Sequence, residues 1–231
     1  MQLTGLPTKR VLTLCLLAGA LAAQKNTPDF ENDYVIINAP HPNVDVPGYT
    51  HKAHIHDNNR VMIYFQLGGE YLHFLKDGHT EDLKWKEGDV VWSPAEGWHY
   101  SEIKKDNPPF TPPMLMDIGI KKAGDPTKTP DSPLDAVKVD PKHYKVEIDN
   151  SQVRVLRLKL GPKETAPMHE HALNRLVVYM TDENVRRTTA DGKTEVRQHK
   201  RAEYSFQGPG KYKLENLGDK PLEAVIIEFK S

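Results

Sequence analysis

Short runs of Val, Ile, Leu, Tyr, Phe and Trp, broken at close intervals by Gly, Pro, Asn and Asp, recur along the chain. Runs of this length and composition predict strands. In the first half they fall at 34–38, 60–67, 70–75, 89–92, 100–103 and 114–121. In the second they fall at 144–148, 153–160, 175–181, 184–189, 194–199, 211–215 and 222–229. Asp182-Glu183 and Asp191-Gly192 read as hairpin connections between neighbouring runs. No stretch supports a helix of ordinary length, so the pattern predicts an all-β protein.

Two stretches break this rhythm. Residues 1–23 place Lys9 and Arg10 before an apolar run from Val11 to Leu21 and the small-x-small triplet Ala20-Leu21-Ala22, which reads as a signal peptide. The run is too short to span a bilayer. Residues 123–142 carry Pro126, Pro130, Pro133 and Pro141 among Asp, Lys and Thr, as an extended linker would. The expected order is therefore a leader (1–23), an arm (24–47), a first domain (48–122) that the arm's strand at 34–38 is free to join, the linker (123–142) and a second domain (143–231).

Composition narrows the partners. At 231 residues the chain has room for two domains of ordinary size. With 38% hydrophobic and 27% charged residues it is polar for a packed protein, so thin cores and long polar loops are expected. Its single cysteine, Cys15, lies inside the leader, so the mature chain has neither disulfide nor thiolate and any metal must be held by His and oxygen. Loss of Lys9 and Arg10 takes the net charge from −1 to −3 without leaving a basic stripe, which argues against a nucleic-acid partner. The leader implies a secreted or periplasmic protein with no membrane attachment after processing.

The chemistry lies in an internal repeat. His54-Ile55-His56 is followed after three residues by Arg60 and after three more by Tyr64. His169-Glu170-His171 is followed at the same spacing by Arg175 and Tyr179, and Asn59 and Asn174 precede the two arginines. Residues two apart on a strand share a face, so each histidine pair forms a chelating couple, and His99 is the candidate third ligand in the first half. Neutral imidazole suits zinc, copper, iron and nickel.

These residues resemble the cupin superfamily. Gly48, the His54/His56 pair and Gly68 follow its first motif, while Gly88, Pro94 and His99 follow its second, with Glu96 and Ile103 in place of the family's Gly and Asn. The second half looks like a weaker copy in which Tyr212 takes the place of the last histidine. The resemblance implies two tandem jelly-roll barrels of the double-stranded β-helix type, a bicupin.

Arg60 and Arg175 stand where the family has a metal-ligating Glu, and a guanidinium has no lone pair to offer. The resemblance then implies a divalent ion (Fe, Mn or Zn) on His54, His56 and His99, with Asn59 as a weak further donor, and a weaker second set in His169, His171 and Tyr212. The arginines, with Tyr64 and Tyr179, are candidate binders of an anionic substrate. The competing assignment pairs each arginine with an acid such as Glu102 or Glu170 and leaves the histidines as hydrogen-bonded interior. Trp92, Trp98 and the tyrosines are expected to pack, and His143 and His199 to lie at the surface. Oxygenase, decarboxylase or isomerase chemistry on a small oxygenated or carboxylated molecule stands beside a non-catalytic module that captures a small acid, sugar or peptide, with homodimerisation open in either case.

Overall fold

The computed structural model describes residues 28–38, 46–95 and 97–231. The expected leader with Cys15, much of the arm, His41 and Glu96 lie outside the described residues. The first half contains β1 (Phe30–Glu31), β2 (Val35–Asn38), β3 (Arg60–Tyr64), β4 (Gly68–Phe74), β5 (Thr80–Trp85), β6 (Val90–Ser93), β7 (His99–Ile103) and β8 (Leu115–Ile120). A helical turn, α1 (Ala136–Val139), precedes β9 (Tyr144–Asp149), β10 (Val153–Leu160), β11 (Thr165–His171), β12 (Arg175–Tyr179), β13 (Glu183–Thr189), β14 (Thr194–His199), β15 (Tyr204–Gln207), β16 (Gly210–Asn216) and β17 (Leu222–Phe229).

Each half is a pair of sheets. In the first, β1-β2-β8-β3-β6 faces β5-β4-β7; in the second, β15-β12-β17-β10-β9 faces β11-β16-β13-β14. The register repeats between halves. His54 bridges His99 and Thr50 bridges Glu102, just as His169 pairs with Tyr212 and Thr165 with Glu215. Tyr212 thus occupies the place of His99 in the second barrel. The repeat also starts earlier than the histidines: Asn32 accepts from the amides of Tyr34 and Val35 as Asn150 does from those of Gln152 and Val153. These side-chain turns open β2 and β10, so β2 joins the first barrel's sheet through β8.

Strand alternation builds a core between the barrels. On β3 the side chains of Val61 and Ile63 point away from Arg60 and Tyr64, and on β12 Leu176 and Val178 point away from Arg175 and Tyr179. The outward sets of both halves, including Val35, Ile118, Val155, Ile227 and Phe229, merge into one buried cluster. Asn59 donates to Gln152 (2.5 Å) and Asn174 to the Tyr34 hydroxyl (2.7 Å), a reciprocal exchange at the rim of this interface. The carbonyl of Asn59 accepts from the Ala95 amide, so the asparagine is a clasp between barrels rather than the metal donor the sequence suggested.

Several elements depart from expectation. β5, β11 and β15 only partly follow the apolar-run rule: Thr80–Trp85 and Thr165–His171 are largely polar, and the strands form because neighbouring strands supply the hydrogen bonds. Asp182-Glu183 is not a hairpin, since β12 and β13 belong to different sheets; Asp191-Gly192 does connect the paired strands β13 and β14, with Gly192 at φ 83°. The second part of the Pro-rich segment is folded. Asp135 caps α1 through the Val137 amide, and Ala136 is fully buried in the second barrel's interior. His143, expected at the surface, is buried between Asp140 and Glu164.

Candidate metal centre and its altered copy

His54 and His56 lie on the irregular chain leading into β3, and His99 opens β7. Backbone hydrogen bonds between His54 and His99 in both directions (2.8 and 3.0 Å) fix the two segments side by side. All three imidazoles converge, offering ligand atoms that lie within 4.8 Å of one another. His54 Nδ1 donates to the Lys52 carbonyl and His99 Nδ1 to the Gly97 carbonyl, each at 2.8 Å. A carbonyl only accepts, so both rings carry the proton on Nδ1 and present the Nε2 lone pair inward. His54 Nε2 and His56 Nε2 stand 3.1 Å apart. Metal–nitrogen bonds of about 2.0–2.1 Å at tetrahedral or octahedral angles place ligand nitrogens about 2.9–3.4 Å apart, so the pair fits a shared ion. Burial, then the Arg60 charge and the other two rings, lowers the His56 pKa to about 3 and keeps that ring neutral at neutral pH.

The floor of the site is polar. Arg60 Nη1 meets Asp117 at 3.1 Å and Nη2 donates to Ser93 Oγ at 2.8 Å. The acid partner is therefore Asp117 on β8, not Glu102. Arg60 Nε and Asp117 Oδ1 are buried without a hydrogen-bond partner. Two orphaned groups of opposite sign beside three converging imidazoles suit a pocket that takes a polar ligand. Burial raises the Asp117 pKa, against the opposing pull of Arg60. Sequence reasoning missed Asp117; a charged residue on the inward parity of the otherwise apolar β8 was the available signal. Tyr64 is buried and stacked on Trp85 at 4.5 Å, a packing role, whereas Trp98 beside His99 is 55% exposed at the rim, contrary to the packing expected of it.

The second barrel keeps the frame and changes the contents. His169 Nδ1 again donates to a carbonyl two residues back, Pro167, at 2.8 Å. Its Nε2, however, meets the Tyr144 hydroxyl at 2.9 Å, and His171 Nδ1 meets Glu228 at 2.7 Å. Both nitrogens of His169 are thus engaged, and Tyr144 and Tyr212 fill the space around the pair. Tyr179 stacks on His199 at 4.0 Å as Tyr64 does on Trp85, so the repeated Arg-x-x-x-Tyr places an inward arginine ahead of a stacked tyrosine in both halves. Arg175 does not pair with Glu170, which is bound to Ser132 and Lys211.

This architecture defines a class: a tandem antiparallel jelly-roll protein with a three-histidine cluster suited to a divalent metal in its first barrel. Among solved structures, AerE from Microcystis aeruginosa matches 86% of this chain over 88% of its own, at 13% identity and a TM-score of 0.54. A variant of oxalate decarboxylase from Bacillus subtilis matches 88% of this chain over 75% of its own, at 11% identity and a TM-score of 0.54. The chain shares the fold of these proteins, two jelly-roll barrels in tandem. No family model and no curated protein matches its sequence.

Proposed function

We propose that the first barrel is a metal-dependent catalytic site for a small carboxylated or oxygenated molecule, with His54, His56 and His99 as ligands. The observation that carries this reading is the convergence of three imidazoles, two of them held in the ligating tautomer by backbone carbonyls. Bound there, a divalent ion of the Fe, Mn or Zn kind supplies Lewis-acid or redox chemistry. Arg60 orients an anionic group of the substrate through its fork, with Asp117 and Ser93 holding the guanidinium in place. Asp117, largely desolvated, is positioned to exchange a proton with substrate. The Mn(II) centres of oxalate decarboxylase, which shares this fold, support a metal in such a barrel and a small acid as its substrate. The leader supports export to a secreted or periplasmic location.

The test is turnover of small acids, oxalate among them, by chelator-treated and metal-reconstituted protein, followed by CO2 release and O2 uptake. Metal-dependent turnover, lost in His99→Ala and shifted to a KM about tenfold higher in Arg60→Gln, is expected. Turnover indifferent to chelator contradicts the reading. The replacement of a family Glu ligand by Arg60 favours a second reading, a non-catalytic carrier, which requires stabilisation by small acids that chelator leaves unchanged.

A further inference from the structure

The second barrel contains a cationic site that the first does not share. Arg175 is fully buried, donating to the Gly208 carbonyl (2.5 Å), Gln207 Oε1 (2.9 Å) and the Tyr212 hydroxyl (3.3 Å). Its Nε has no hydrogen-bond partner, and it forms no ion pair among the described residues; Glu228, opposite on β17, is taken by His171 and Arg154. A buried guanidinium without a counter-ion is costly, and an anion near it would offset that cost. Gly208 and Gln207, which hold Arg175 through a backbone carbonyl and a side-chain amide, also line a cleft of about 510 Å³.

Two more guanidinium groups wall this cleft. Arg187 lies over the Tyr212 ring at 4.1 Å, on which Arg175 also bears at 5.7 Å, and its Nε is likewise buried without a partner. Arg187 and Arg197 share a single carboxylate, Glu195, at 3.3 and 2.6 Å. Glu195, half-exposed, is the one acid in ion-pair contact with either guanidinium group among the described residues, and Arg197 also lies near the buried Glu183. With Arg175 behind Gln207 and Gly208, cationic groups still predominate around a space of ligand size. Phe206 and Pro209 offer an apolar wall for a carbon skeleton.

We propose that this cleft binds a small organic carboxylate, independently of any metal, through Arg187 and Arg197 at its wall with Arg175 beneath. Planar forks on two sides match carboxylate oxygens bidentately. The site is separate from the three-histidine cluster and does not rest on the function assigned to it.

Calorimetric titration of the full chain in EDTA with succinate, D-glucuronate and inorganic phosphate tests this. Saturable binding of succinate or glucuronate is expected, distinguishing a dicarboxylate from a sugar acid, with affinity lowered about tenfold or more in Arg187→Gln and again in Arg197→Gln. Both arginines lie partly exposed on strands β13 and β14, and circular dichroism establishes that the variants fold. His54→Ala/His56→Ala should leave the binding unchanged. Phosphate binding without carboxylate binding, no binding of either carboxylate, or binding that survives Arg187→Gln/Arg197→Gln but is lost in the histidine variant would each overturn the proposal.

Discussion

Glu183 shows how a single desolvated side chain ties stability to pH. It begins β13 with its carboxylate 3.9 Å from His199, and burial raises its pKa from 4.5 to about 7, against the opposing pull of Arg197. An acid whose folded pKa is raised binds protons more tightly when folded. Stability is therefore favoured below the unfolded pKa and falls as pH rises through the window from 4.5 to about 7. Glu183→Gln is expected to raise the melting temperature at pH 8 by removing a penalty of up to roughly 3 kcal/mol, and to make no difference near pH 4; a gain that is the same at both pH values would refute this. At this scale the sequence was most informative where spacing is chemical. The two His-x-His pairs, His99 and the Tyr212 substitution follow from motif counting. Asp117, Arg187 and Arg197 do not, because each joins its site from a strand whose pairing only the fold reveals.

Among elements, the connection between barrels differs most from its sequence signal. Prolines and polar residues predict an extended linker, yet Asp135, Ala136 and Asp140 are buried against the second barrel and Arg154 binds Asp135 at 2.5 Å. Gly124 is pressed onto the β9–β10 turn, where an added Cβ would sit 1.8 Å from the Ser151 carbonyl oxygen. Gly124→Ala should therefore lower stability by about 2 kcal/mol or more, whereas Gly97→Ala, with open space around it, should be near neutral in a urea melt. Equal midpoints for the two variants would show that the connection is not docked. The mistaken hairpin at Asp182-Glu183 has a related cause: a jelly roll sends consecutive strands to opposite sheets, and turn residues look alike in both situations.

At the scale of the whole molecule, two barrels are joined by sheets buried on both faces. The runs in β10, β12 and β17 are buried at nearly every position, the pattern of a strand covered on two sides; β12 and β17 are mostly apolar, but Arg154, Arg157 and Lys159 interrupt β10, so the shared interface was not legible in the sequence. Ile118 lies in this shared core with no exposure. Ile118→Ala should cost about 2–5 kcal/mol while leaving one calorimetric transition, and the appearance of a second, resolved transition would show that the halves unfold separately. The first barrel's interior instead holds histidine, arginine and aspartate in place of a continuous apolar filling, which suits it to a ligand. Metal content of the purified chain, measured by elemental analysis beside the His54→Ala/His56→Ala variant, tests this most directly. About one divalent ion per wild-type chain and almost none in the variant is the predicted result. A metal-free wild type that fails to take up Mn, Fe or Zn, or a variant that retains its ion, would contradict it.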